Sequence, residues 1–317
     1  MGYYIRKLLT LIPVLFVVSA LSFLLLNLLP GDPVTVILGP NATGPARAEL
    51  RHQLGLDQPL PQRYVHYVDR LFHGDLGQSA ITKEKVSTSL GRAVPITLEI
   101  LIFSQIIALI LAIPLGVFSA LKPGGWLDRL STGSSFGLLS LPAFMLGVLL
   151  VYIFAVQFKA FPATGWTPLS QNLPNNLSGA FLPSLTLALG TVAVYLRVLR
   201  NDMIATLQQD FITMARAKGL SNTRILMRHA FRPSTFTLLT VAGLNVGTLI
   251  GGAVLVEVIF AIPGIGRLTI QSIYSRDYLV VQGIVLIVTI AYVLVNFAVD
   301  IFYSIIDPRT RASVANA

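Results

Sequence analysis

Long apolar runs without a charged residue recur along this chain and constrain its fold more than any other feature. The first run extends over 22 residues from Leu8 to Leu29 without a charge. About 20 such residues, as a helix, cross the roughly 30 Å hydrocarbon core of a bilayer. Only 12% of the residues are charged, whereas soluble domains carry about 25%. The pattern therefore predicts an all-α polytopic membrane protein.

Six apolar runs are long enough to be predicted as transmembrane helices. The first is longer than the apolar part of a secretory signal, about 7–15 residues, and it ends without a small-residue cleavage site, so we interpret it as an uncleaved span. The predicted spans are 8–29, 98–121, 132–156, 181–199, 236–256 and 279–303.

The distribution of lysine and arginine between the loops predicts the orientation of the spans. With the N-terminus in the cytoplasm, the inside segments hold thirteen of these residues and the two short outside loops hold three. The positive-inside rule then predicts an N-in, C-in topology. The net charge of +9 faces anionic membrane lipid in this orientation, so nucleic acid is not needed as a partner to explain it.

The spans divide the chain into four predicted parts. A long extracytoplasmic loop follows the first helix, and we expect two helices within it, Ala46–Leu54 and Pro61–Phe72. The parts are the first transmembrane helix (1–29), the extracytoplasmic loop (30–97), a five-helix core with a cytoplasmic loop at 197–235 (98–303), and a cytoplasmic tail (304–317).

A basic segment between the fourth and fifth spans differs from the other loops. Residues 197–233 contain seven arginine or lysine residues and a single glycine, Gly219, between helix-forming stretches. Glycine allows the positive φ of a sharp turn, so the pattern predicts helix, turn, helix. An ordered polar segment in a membrane protein indicates a docking site. The alternative is a solvated loop that only follows the orientation rule.

Small residues and prolines inside the spans predict close packing and bends. Gly243, Gly247 and Gly251 are four residues apart and share a helix face, which favours close approach of another helix of this chain or of a partner. Prolines inside spans remove a helical hydrogen bond and cause kinks that are either architectural or hinges in a pathway. These are Pro13, Pro114, Pro142 and Pro183.

Residues that carry chemistry are scarce. The chain has no cysteine, and its histidines match no metal-ligand spacing. The nearest approach to a Walker A sequence, Gly39 to Gly44, is followed by Pro45 instead of the lysine that reaches the phosphates. No acidic or basic residue lies mid-span, which argues against proton-coupled transport. We therefore predict no catalytic residue, metal site or bound cofactor, and no enzyme activity in this chain.

Short motifs occur in order along almost the whole chain. They include Leu54-Gly-Leu-Asp-Gln-Pro-Leu60, Gly74-Asp-Leu-Gly-Gln-Ser79, Ala215-Arg-Ala-Lys-Gly-Leu220, Phe260-Ala-Ile-Pro-Gly-Ile-Gly266 and Asp307-Pro-Arg309. Together they resemble the motifs of one family, the B-type inner-membrane permease subunits of dipeptide, oligopeptide and nickel ABC importers. The chain departs from the family pattern in two places, since Thr213-Met-Ala215 stands where the family has Glu-Ala-Ala and Arg232-Pro233 replaces its closing Leu-Pro.

This resemblance implies a type I importer permease fold in a bacterial or archaeal inner membrane. It implies four partners: a second, similar permease, two ATP-binding subunits that hold ATP and Mg, and an extracytoplasmic substrate-binding protein. The substrate implied is a dipeptide or oligopeptide, with glutathione, nickel chelates and oligosaccharides as alternatives. The competing hypotheses are a stand-alone carrier or channel and a membrane scaffold, and the predicted docking segment favours the importer.

The resemblance also implies roles for individual residues. The stretch Met214–Leu226 is expected to be a coupling helix seated on an ATPase, with Phe211, Met214 and Ile225 as its apolar anchors. The full set implied for ATPase coupling is Phe211, Met214, Ala215, Arg216, Ala217, Lys218, Gly219, Leu220, Arg224 and Ile225. The set implied for the outer gate or the binding-protein contact is Glu257, Pro263, Gly264 and Gly266.

Overall fold

The computed structural model describes residues 13–24, 34, 38–39, 43–53 and 56–306. Predictions for the first twelve residues and for the tail beyond 306 lie outside this part of the chain. The described helices are α1 (Pro13–Leu24), α2 (Gly44–Gln53), α3 (Leu60–Phe72), α4 (Val86–Leu121), α5 (Trp126–Ser140), α6 (Ala143–Gln157), α7 (Leu173–Leu207), α8 (Asp210–Ala217), α9 (Asn222–Ile259), α10 (Ile265–Tyr274) and α11 (Tyr278–Ile306).

Among the described residues, four helices are long and apolar enough to cross a membrane, namely α4, α7, α9 and α11. They contain the predicted spans 98–121, 181–199, 236–256 and 279–303, so the all-helical prediction is confirmed. Each helix extends past its predicted apolar run. Only Pro13–Leu24 of the predicted first span lies in the described residues, as a shorter apolar helix. The six-span N-in, C-in topology stays a prediction.

The predicted third span, 132–156, is not one straight helix. Helices α5 and α6 meet at an angle of 106°. The break falls at Leu141, which is extended with ψ of 129°, just before Pro142. A proline disfavours helical geometry at its preceding residue and has no N–H to donate. Pro142 therefore marks a sharp break. A bent pair of helices occupies the place of the single predicted span.

Two compact units divide the chain, and the first comprises Met1–Pro95 with Gly264–Phe297. Its core is a cluster of buried residues from α4 and α11, with Val86 packed beside Val280 and Ile284. Gly283 permits this packing, because a Cβ there would lie 2.6 Å from Cγ1 of Val86. Buried Ser79 donates its hydroxyl to Asp277, which fixes the loop before α4 to the start of α11.

The second unit comprises Ile96–Pro263 with Ala298–Ala317, and α7, which lies within it, is the most buried of the spanning helices. Of the residues in its apolar window, 56% are buried, against 22–33% for the other three spanning helices. One core cluster surrounds Tyr195 and Leu199 in the half of α7 near its C-terminal end, and another surrounds Leu182 near its start. Helix α7 therefore connects the two ends of this unit.

The three glycines predicted to pack helices are not equivalent in the structure. A Cβ on Gly243 would lie 2.6 Å from Cγ1 of Val299 and nearer still to Cγ2, whereas one on Gly251 would meet no atom within 4 Å. Gly243 is therefore a point of close approach between α9 and α11, as glycine at helix contacts in membranes permits.

We expect Gly243→Ala to lower the thermal unfolding midpoint of the detergent-solubilised protein, with an overpacking cost of about 1–3 kcal/mol. Gly251→Ala is the control, and it should leave the midpoint unchanged or raise it, since alanine favours helix by about 1 kcal/mol over glycine. Adding Val299→Ala to Gly243→Ala should restore the midpoint. A destabilisation that Val299→Ala does not relieve would contradict this packing account.

Candidate functional site

The basic segment folds as a short helix, a tight turn and a second helix. Helix α8 begins at Asp210 directly after α7 and ends at Ala217, and α9 begins at Asn222 with Ser221 as its N-cap. The prediction of one coupling helix over Met214–Leu226 is therefore wrong in its bounds, because that stretch contains the turn. The helix that precedes the turn is Asp210–Ala217.

Gly219 terminates α8 in a Schellman motif. Its φ is +78°, its N–H donates to the carbonyl of Arg216 at 2.9 Å, and the N–H of Leu220 donates to the carbonyl of Ala215 at 3.2 Å. These two bonds satisfy the last carbonyls of the helix, and the left-handed φ favours glycine. The sequence prediction of a glycine-dependent turn at this residue is confirmed.

Three buried side chains hold the two arms of the turn together. Ile212, Ala215 and Ile225 form a small core, against which Leu207 and Leu220 pack. Ile225 is 2% exposed, so it stabilises the turn from inside and is not available as the outward apolar anchor that the resemblance implied. The burial follows from packing between the two arms of the turn, since Ile225 lies against Ile212 and Ala215 of α8.

The opposite side of the turn combines exposed apolar and cationic side chains. Phe211 and Met214 are 46% and 58% exposed, and their spacing of three places them on one helix face. Arg216 and Lys218 are exposed at the C-terminal end of the same short helix. We call these four exposed residues the outer face of the turn. Exposed apolar side chains on a helix that also presents two cations suit a protein partner whose groove carries acidic groups.

Ala217 and Arg224 are also exposed around the turn. Asp210 lies in the first turn of α8 and Arg216 in its last, so both charges complement the helix dipole. Of the predicted coupling set, the structure thus places Phe211, Met214, Arg216, Ala217, Lys218 and Arg224 outward.

A partly buried ion pair lies near the same end of α7 and was not anticipated from the sequence. Asp128, in the first turn of α5, is 4% exposed. Its carboxylate accepts two hydrogen bonds from Arg200, from Nε and, at 2.7 Å, from Nη2. The partners are 72 residues apart in the sequence, and no local pattern identifies either one.

A second group of polar side chains joins three spanning helices. The hydroxyl of Tyr195 donates to Gln105 at 2.8 Å, and Nδ2 of Asn245 donates to Thr191 at 3.3 Å. Gln105 also donates to the carbonyl of Ala242 at 3.2 Å. These bonds connect α4, α7 and α9, in keeping with the preference of intramembrane polar groups for the bundle interior.

The residues implied for the outer gate have contrasting exposures. Glu257 is fully buried, and its carboxylate accepts a 2.6 Å hydrogen bond from Thr97. Gly264 and Gly266 are buried, whereas Pro263 is exposed. Of these four, Pro263 alone is placed to touch a partner, and the gate assignment stays a prediction.

Comparison with known proteins decides the family. The sequence pattern of the binding-protein-dependent transport system inner membrane component matches residues 112–312, and that of the N-terminal part of such membrane components matches residues 1–101. The chain belongs to this family. It is an ABC importer permease, and the resemblance seen in its motifs is confirmed.

Similar proteins narrow the type of permease. The chain is 38% identical to a probable peptide ABC transporter permease protein, y4tP of Sinorhizobium fredii, over 98% of this chain and 100% of that protein. It is 37% identical to the glutathione transport system permease protein GsiC of Escherichia coli K12, over 98% and 99% of the two chains. The permease is thus of the peptide and glutathione transporter type, and its relatives are transport components rather than enzymes.

A solved structure supports the fold. A chain of the MetNI methionine ABC transporter, in an inward-facing conformation, superimposes with a TM-score of 0.57 at 20% identity and covers 69% of this permease and 96% of that chain. The permease therefore has the fold of an ABC importer membrane subunit.

Proposed function

We propose that this permease passes peptides of the dipeptide and oligopeptide class across a bacterial or archaeal inner membrane, driven by ATP hydrolysis in separate subunits. Two relatives support this substrate class, one named as a probable peptide permease and the other as a glutathione permease. Each aligns with this chain over nearly its full length. Glutathione is itself a small peptide, so one pathway of moderate width and weak polarity suits both.

The outer face of the turn is the observation that carries the coupling proposal. Phe211 and Met214 expose apolar surface in a segment whose own core is already formed by Ile212, Ala215 and Ile225. Such a rigid apolar patch resembles the anchors of protein interfaces. We assign it to a groove on an ATP-binding subunit, with Arg216 and Lys218 facing acidic groups at its rim.

The complete importer then contains a second similar permease, two subunits that bind ATP and Mg, and an extracytoplasmic substrate-binding protein, all seated in membrane lipid. In it, residues 1–29 form the first span, 30–97 the outer loop, 98–303 the core with the coupling loop at 197–235, and 304–317 the inner tail. Both ends of the chain face the cytoplasm. Pro263 and its neighbours Glu257, Gly264 and Gly266 form the outer gate or the contact with the binding protein.

The local geometry suggests how the turn acts on the spans. Helix α8 follows α7 after only Gln208 and Gln209, and α9 continues from the turn without a break through its spanning part. Closure of the ATPase pair around ATP would displace the turn, and α7 and α9 would move with it. This alternates access to the pathway while the permease itself hydrolyses nothing.

Reversing two charges on the outer face tests its electrostatic part. We expect Arg216→Glu with Lys218→Glu to reduce uptake at least tenfold while the spans stay inserted, because like charges would then face acidic groups of the ATPase. Lys122→Glu with Arg129→Glu changes the net charge equally on the same predicted side and should leave uptake near the unsubstituted level. Equal losses in both pairs would show a general charge effect and contradict the docking assignment.

The function itself is tested on the complex purified in mild detergent from its native membrane. We expect a second permease and ATP-binding subunits to be recovered with this chain and, in proteoliposomes containing ATP, uptake of radiolabelled dipeptides or glutathione that depends on the binding protein. Recovery of the chain alone, with uptake that needs no ATP, would replace this proposal with a stand-alone carrier.

A further inference from the structure

The Asp128–Arg200 pair has the geometry of a strong, directional link. Arg200 is held by both carboxylate oxygens of Asp128, and the carboxylate also accepts from the backbone N–H of Gly124 at 2.7 Å. A bidentate arginine–carboxylate pair fixes orientation as well as distance. One further contact joins the same helices, since the guanidinium of Arg197 lies 4.8 Å from the ring centre of Phe136.

The position of the pair connects it to the turn. Arg200 lies two helical turns before Leu207, the last residue of α7, and Leu207 packs on the small core formed by Ile212, Ala215 and Ile225. A displacement of the turn therefore reaches Arg200 along a short, continuous helix. Beyond the pair, α5 leads to the 106° break at Leu141 and into α6.

We propose that Asp128 and Arg200 are positioning residues that make α5 follow α7 when the turn is displaced, so that movement at the ATPase reaches the bent α5–α6 pair. This inference rests on the proposed function. It goes beyond it by assigning transmission to a pair that lies outside the turn. The pair stays closed throughout the transport cycle and acts as a strut between the two helices.

Protein stability alone does not test this role, because an ion pair that leaves water can contribute little or nothing to the free energy of folding. The informative quantity is the amount of substrate imported per ATP hydrolysed by the assembled importer in proteoliposomes. We expect Asp128→Asn and Arg200→Gln each to lower this ratio about tenfold while ATP hydrolysis continues. The charge swap, Asp128→Arg with Arg200→Asp, should restore a large part of it.

Asp202→Asn is the matched control, because it removes an acid two residues from Arg200 that forms no ion pair among the described residues. Its import per ATP should equal that of the unsubstituted importer. An unchanged ratio in Asp128→Asn and Arg200→Gln would overturn the proposal, as would a reduced ratio that the charge swap fails to raise.

A second measurement leaves the ion pair intact and decides the matter if the substituted proteins do not assemble. The chain has no cysteine, so Trp126→Cys and Ala205→Cys, both at exposed positions, can carry spin labels at the ends of α5 and α7. We expect the distance between the labels to be the same without nucleotide and with ATP bound. A distance that changes with nucleotide would overturn the strut.

Failure of the proposed function would be recognised separately. It would appear as absence of ATP-driven uptake by the unsubstituted importer. Failure of the strut would appear as normal ATP-driven uptake together with one of the contrary results above.

Discussion

Replacing Gly219 with proline is expected to abolish ATP-driven uptake while the chain remains inserted in the membrane. Gly219 has φ of +78°, whereas proline is locked near −65°. The substitution also removes the N–H that donates to Arg216 at 2.9 Å. The turn can then not close, and the outer face loses its position. Uptake into proteoliposomes and membrane insertion would be measured on the same preparation.

Two milder substitutions of Gly219 serve as controls. Asparagine tolerates the left-handed region, and a Cβ at this position meets no atom within 4 Å. Gly219→Asn should therefore retain most of the uptake, and Gly219→Ala should be intermediate because a left-handed alanine costs roughly 1–2 kcal/mol. Wild-type uptake by Gly219→Pro would show that coupling does not depend on this turn.

Placing aspartate at both Phe211 and Met214 is expected to release the ATP-binding subunits from the purified complex and to eliminate uptake. The two side chains are 46% and 58% exposed, so the change leaves the internal core of the turn intact. Truncating an anchor at the centre of an interface commonly costs 2 kcal/mol or more, about 30-fold in affinity. Co-purification and uptake measure the two consequences.

Thr213→Asp provides the control for this pair. Thr213 is exposed on the same short helix, but it points about 100° away from Met214. It should leave both the ATP-binding subunits and the uptake in place. If Thr213→Asp had the same effect as the substitutions at Phe211 and Met214, added negative charge anywhere on α8 would explain the loss, and the outer face would have no special role.

Much of the fold was predictable because membrane helices are governed by local sequence. The apolar runs predicted the four long helices, since a bilayer requires backbone hydrogen bonds to be satisfied within each segment. Gly219 predicted the turn because few other residues adopt its φ. Pro142 predicts a kink or a hinge, but a proline by itself does not specify an angle, and the structure is needed to give the 106° bend between α5 and α6.

The features that the sequence did not predict depend on contacts between distant residues. Asp128 and Arg200 become partners only when α5 packs on α7, and Tyr195 gains its role through Gln105 and Asn245 on two other helices. The resemblance implied that Ile225 is an apolar anchor at the partner surface, whereas the structure buries it in the core of the turn beside Ile212 and Ala215. The three-dimensional structure was therefore needed to tell which side chains of the turn face outward.

Site-specific photo-cross-linking from Met214 in native membranes tests the central claim most directly. A photoreactive amino acid would replace Met214, with Leu244, an exposed residue of the spanning part of α9, as the comparison position. The account predicts that an ATP-binding subunit is the main protein cross-linked from Met214 and that it is not cross-linked from Leu244. Adducts with lipid alone at Met214, in membranes that import peptide, would contradict the assignment of this face to ATPase coupling.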